Sequence, residues 1–206
     1  MRTAPLRIVL LASAIALLPV AATAQGACPT AATPGKSIAL ASPDGRKSEI
    51  TWLADHRVNV IEHAPDGVRG FPRETITARG LLGLEVVSPV SKARVTYATP
   101  PDMIFPLEVG RQHLLEYESQ VEGGATLRGT MAVAVLEQLE HKIGECAYQA
   151  LLVARVSQFA DGRQTPTRYE VYVPVLQAVA KSTLFDDASQ SIIASETFEY
   201  ETIATR

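Results

Sequence analysis

Residues 144–181 decide the fold. They read Gly144-Glu-Cys-Ala-Tyr-Gln-Ala-Leu-Leu-Val-Ala-Arg-Val-Ser-Gln-Phe-Ala-Asp-Gly162, then, after Arg163 and four further residues, Arg168-Tyr-Glu-Val-Tyr-Val-Pro174, and run on to Lys181. Two apolar runs rich in β-branched and aromatic residues flank Asp161-Gly162, a dipeptide suited to a tight turn because Gly takes positive φ without steric cost. Pro174 has no amide to give a ladder and closes the second run. The stretch predicts a central β-hairpin that carries Cys146, one of only two cysteines.

The same grammar recurs through the chain. Asp44-Gly45, Asp66-Gly67 and Gly123-Gly124 are further hairpin signals, and the segments between turns alternate with period two. Ile50, Trp52 and Ala54 share a face, as do Val58 and Val60. His113, Leu115, Tyr117, Ser119 and Val121 share another, opposite Gln112, Leu114, Glu116, Glu118 and Gln120. Near the end, Ile192, Ala194, Phe198 and Tyr200 read as one face of a last strand, with Thr197, Glu199 and Glu201 on the other. Such alternation belongs to half-buried antiparallel strands. Residues 131–142 also fit helical spacing, through Val135, Leu136, Leu139 and Ile143. The alternating lead-in at 126–130 and the closing Gly144 favour strand. Residues 98–110 carry three prolines and read as a loop or sheet-edge crossover; 184–190 read as a loop or short helical turn. The expected fold is all-β and mainly antiparallel, a strongly curved sheet or incomplete barrel in one domain over residues 25–206.

Residues 1–24 read as a cleavable signal peptide: Arg2 and Arg7, an apolar run from Ile8 to Val20, and Ala22-Thr23-Ala24 before a cut at Gln25. The run is shorter than the roughly 20 residues of a membrane helix, so no transmembrane segment is expected in the mature chain. Export to the periplasm or beyond follows. Cys28 also invites a lipoprotein reading, but Gln25 stands where that signal wants an aliphatic residue. In an oxidising compartment Cys28 and Cys146 most simply pair as a disulfide; free thiols or a nucleophilic Cys146 are the alternatives, and no nearby base supports the latter.

Several function classes are disfavoured. The whole-chain charge is −3, and without a basic cluster the chain is a poor binder of nucleic acid or anionic lipid surfaces. Gly35-Lys36-Ser37 ends like a phosphate-binding loop, but Thr30 stands where the leading Gly belongs. His56, His63, His113 and His141 show neither i, i+2 nor i, i+4 pairing, so neither a metal nor a cofactor is expected. Glu116 with Glu118, or Glu199 with Glu201, could make the carboxylate pair of a glycoside hydrolase, although such pairs usually face water. There is no Gly-x-Ser-x-Gly elbow. The remaining candidates are aromatic: Trp52, Tyr117, Tyr148, Tyr172 and Phe198 could line a concave sheet as a ligand surface, or could fill the core.

Phe105-Pro-Leu-Glu-Val-Gly110 leading to a strand with Tyr, Gly144-Glu-Cys146, and Tyr169-Glu-Val-Tyr172-Val-Pro174 running to Lys181 together resemble a loose group of bacterial exported β-proteins of unknown function. Val175-Leu176-Gln177 departs from the Gly usual after that Pro. The resemblance covers roughly residues 100–181. It implies an architecture similar to the open half-barrels of periplasmic lipoprotein carriers and adds little about activity, since fold does not fix function. The expected function is that of a non-catalytic envelope protein that binds a hydrophobic ligand, a lipid or a partner protein on the concave sheet. A structural or interaction module with a filled core is the alternative, and a carboxylate hydrolase a third.

Overall fold

The structure, a computed structural model, describes residues 28–65, 68–194 and 197–205; the expected signal peptide and the Asp66-Gly67 turn lie outside them. Fourteen strands are formed among the described residues: β1 (Ser37–Ala41), β2 (Lys47–Trp52), β3 (Arg57–His63), β4 (Arg73–Ala78), β5 (Leu82–Ser88), β6 (Ser91–Tyr97), β7 (Gln112–Val121), β8 (Thr126–Ile143), β9 (Cys146–Phe159), β10 (Thr167–Val173), β11 (Ala178–Asp186), β12 (Ser191–Ile192), β13 (Phe198–Glu199) and β14 (Thr202–Thr205). Each strand from β1 to β12 pairs antiparallel with its neighbours in sequence, giving one curved, unclosed meander. No helix among the described residues is long and apolar enough to cross a membrane.

The predicted hairpin is β9–β10, with Arg168 opposite Arg155 and Tyr172 opposite Leu151. Its apolar runs are continuous from Ala150 in β9 and toward Val173 in β10, where the strands are buried or half-buried on both faces; at the start of β9 Ala147 and Gln149 are exposed. Cys146, Tyr148 and Ala150 of β9, with Val171 and Val173 of β10, enter a first core alongside Ile38, Leu40, Ile50, Trp52 and Val58. The intervening Leu151, Val153 and Tyr172 enter a second core with Leu82, Tyr97, Leu115, Tyr117, Val133 and Val135. Each fully buried Leu, Ile or Val side chain contributes about 1.5–3 kcal/mol relative to exposure.

Residues 131–142 are strand, within β8. Their helical spacing has a local cause: a register shift between Val135 and Glu137 leaves Leu136 as the extra residue of a bulge, 46% exposed. Bulges insert one unpaired residue and bend the strand. The proline-rich segment 98–110 contains a 3-10 turn, Pro101–Ile104, that buries Ile104.

The C-terminal reading needs correcting. The single strand expected across 192–200 is broken: Ile192 belongs to the two-residue β12 and Phe198 to β13, both on β11, whereas β14 pairs with β1. The Tyr200 amide donates to Ala180 O and the Glu201 amide to Ala41 O. This segment bridges the two ends of the meander, and long-range pairing of that kind has no local sequence signal. β11 also continues through Leu184–Asp186, where the sequence suggested a loop.

Two contacts fasten the N-terminal strands to the end of β10. Trp52 Nε1 donates to Leu176 O at 2.7 Å. The β4–β5 turn, Arg79-Gly80, has positive φ at both residues; Tyr172 Oη donates to Arg79 O at 2.7 Å, and a Cβ at Gly80 would lie 1.6 Å from Gln177 O. Only glycine permits that approach.

Candidate functional site

Where the two halves of the meander face each other they enclose a cleft of about 250 Å³. Register builds its first wall in rows: Ser48, Glu62 and Arg73 across β2–β4, and Ile50, Val60, Thr75 and Val86 across β2–β5. Gly80 and Leu81 of the β4–β5 turn also line it. The second wall is Arg155 of β9, Arg168 and Glu170 of β10, and Ala178 and Val179 of β11, with Phe198 and Tyr200 of the bridging segment.

The charges are organised in pairs. Arg155 and Arg168 stand opposite one another on paired strands, an arrangement that like charges disfavour. Glu170, at the next facing position, offsets it: Arg155 Nε and Nη2 reach its two oxygens at 2.5 and 2.6 Å, while Nη1 donates to Leu81 O at 2.8 Å. The fork geometry of guanidinium and carboxylate makes this bidentate bond strong. Burial works against the Arg155 charge, but the charge and hydrogen bonds of Glu170 outweigh it and hold its pKa above the ordinary value. Arg73 meets Glu62 at 2.7 Å, and Arg168 Nη1 donates to Ser182 Oγ at 3.1 Å. Tyr200, hydrogen-bonded to Ser48, has its phenol pushed well above the usual range, chiefly by burial.

Sequence reading did not single out Arg155, Glu170, Glu62 or Arg73. The available signal is parity. Arg155 continues the inward series Leu151-x-Val153-x-Arg155, and Glu170 sits two residues from the inward Tyr172, so each is a charge on a buried face.

The five aromatic candidates are not gathered in one place. Trp52 and Tyr148 are buried in the first core, Tyr117 and Tyr172 in the second. Phe198 is partly buried against the first core and is the one of the five on the cleft; its ring lies 4.9 Å from that of Tyr200. Tyr117 also lines a separate depression of about 460 Å³ with Glu116, Glu118, Arg128 and Phe159. There Tyr97, Tyr117, Gly129 and Phe159 form a row across β6–β9, and the Tyr117 hydroxyl lies 3.0 Å from where a Gly129 Cβ would stand.

The carboxylate pairs are exposed: Glu118 is held by Arg128 and Glu199 by Lys181, both at 2.7 Å, and Glu116 and Glu201 face water. The disulfide is formed between Cys28 and Cys146, across 118 residues with Cα atoms 5.6 Å apart, which fits an extracytoplasmic location.

No family model and no curated protein matches the chain. Two solved structures are similar to it. One is described as the hypothetical lipoprotein YmcC from Escherichia coli (K12), at 9% identity and a TM-score of 0.48 over 84% of this chain and 85% of that one. The other, from Bacteroides fragilis NCTC 9343, is described as exported with a YmcC-like fold, at 10% identity and a TM-score of 0.42 over 84% of this chain and 97% of that one.

Proposed function

We propose that the protein is an exported, non-catalytic envelope protein that acts by binding, and that the cleft between the two halves of its curved sheet is where a small ligand sits. One observation carries this reading: Ile50, Val60, Leu81 and Val86 share the cleft with paired arginines and carboxylates. A concave lining that sets charged and hydroxyl side chains beside apolar ones can both orient and bury a small ligand. Trp52, Tyr117, Tyr148 and Tyr172 are occupied in the cores, so an apolar chamber for a lipid chain is not what supports the reading. The test is native mass spectrometry of protein released from its own cells without denaturant. A bound small species that is absent in a folded Val86→Trp variant, whose indole fills the cleft, is the expected result; identical unliganded masses for both would defeat it. Export through residues 1–24 predicts a mature chain whose N-terminal sequencing begins at Gln25.

A second reading, an interaction module with a filled core, has its own observation. Leu114 is 68% exposed and stands in a ladder row with Ala132 and Val156, an apolar strip of the kind that partners cover. A photo-crosslinker at position 114 that captures one envelope protein in cells favours it, and crosslinking to none counts against it.

A further inference from the structure

We infer that the cleft is built for a neutral, hydroxyl-rich molecule of about the size of one sugar ring. This rests on the reading of the cleft as a binding site and names what it would take.

Five charged side chains stand on the walls, and none is without a partner: Glu62 has Arg73, Glu170 has Arg155, and Arg168 has Ser182 and further contacts. Glu62–Arg73 and Glu170–Arg155 are closed ion pairs, and an ionic ligand that drew a member of either to itself would leave the other as a poorly solvated charge without its counterion. A neutral ligand disturbs neither pair.

A hydroxyl donates and accepts at once, so beside an ion pair it can give its proton to the carboxylate while taking one from the guanidinium. The cleft offers two such pairs, with the Thr75 hydroxyl in the row beside Glu62 and Arg73. A molecule with several adjacent hydroxyls matches a wall of alternating donors and acceptors; a hydrocarbon would leave those groups dry and unmatched.

The Phe198–Tyr200 ring pair and the Ile50, Val60 and Val86 side chains give the cleft an apolar side, and a sugar ring likewise has a face of C–H groups. The cleft, about 250 Å³, is of a size that suits a small molecule such as one ring with its hydroxyls.

The experiment is an amide-shift NMR titration of the full mature protein with three neutral hexoses (D-glucose, D-galactose and D-mannose), with D-glucuronate and D-glucosamine as charged counterparts, and with octanoate. At least one neutral hexose is expected to move the amides of Val60, Thr75 and Glu170 more than either charged sugar does. Thr75→Val, checked for an unchanged fold by circular dichroism, is expected to weaken that binding about two- to tenfold, the worth of one hydrogen bond. If a charged sugar or octanoate moves those amides and no hexose does, the ligand class is wrong while the cleft remains a binding site. If no probe moves them, the cleft is a water-filled seam, and both this inference and the binding reading fall.

Discussion

The β9–β10 hairpin and the β5–β6 hairpin are built from the same antiparallel grammar but are held in different ways. β9 and β10 send alternate side chains into two cores, carry a bidentate Arg–Glu pair with a carboxylate only 5% exposed, and begin at a disulfide. β5 and β6 are partly open to water: Val90 in their turn is 73% exposed, and Glu85 meets Lys92 and Arg94 only at 3.8 and 3.7 Å. Burial sets what a charge or a glycine is worth. The same residue types therefore carry large energies in the first hairpin and small ones in the second.

The sharpest challenge to that contrast is Glu170→Gln. It leaves Arg155 without its counter-charge in a mostly buried site, and the expected loss is about 3–5 kcal/mol. Glu85→Gln, at the loose pairs of the β5–β6 hairpin, is expected to cost under about 1 kcal/mol. Equal urea midpoints for the two variants would break the comparison.

Cys28→Ser with Cys146→Ser is next. A 118-residue closure constrains the unfolded chain, and removing a native disulfide of this kind typically costs about 2–5 kcal/mol. Thermal melts of the double variant should match those of the reduced wild type. A variant as stable as the oxidised protein would mean that the first core needs no staple.

Glycines give a finer test. Gly80→Ala forces a Cβ into the Gln177 backbone at positive φ, with an expected loss of about 2–4 kcal/mol from overpacking and backbone strain. Gly83→Ala, three residues on and with open space around it, should shift stability by less than about 1 kcal/mol. Guanidinium unfolding separates the two.

The smallest effect expected is a pH dependence beside the hairpin. His141 of β8 pairs with Tyr148 of β9. Burial first, then Lys181, lower its pKa from 6.5, against the opposing pull of Glu199. Below pH 6.5 the unfolded chain therefore binds more protons than the folded one. The stability His141 contributes is complete above that pH and is lost as pH falls through 6.5 toward the lower folded-state value. His141→Gln should flatten the urea midpoint between pH 7.5 and pH 5.5; an unchanged slope would remove His141 from the account.

Much of the fold was legible because its causes are local. Asp161-Gly162, Asp44-Gly45 and Gly123-Gly124 mark turns through glycine's positive φ, which the structure shows at Gly162, Gly45 and Gly123. Alternation at 113–121 marks the burial of Leu115 and Tyr117. Two turns were not legible. Asp55-His56 and Arg79-Gly80 both take positive φ at each residue, and in three of these four positions a side chain carries a conformation that glycine usually supplies. The cleft was less visible still. Arg155 and Glu170 lie 15 residues apart, but Leu81 is 74 residues from Arg155, and nothing in either neighbourhood announces the other.

The sequence by itself determined an all-β antiparallel chain with a central hairpin and two cysteines placed to pair, because turns, alternation and redox chemistry act through near neighbours or through simple counting. Only the tertiary structure decided that the aromatics divide between two cores, that the C-terminal segment bridges β11 and β1, and that paired charges line a cleft. Each of those depends on which distant strands meet, and period-two patterning fixes the face a side chain takes without fixing what that face will meet.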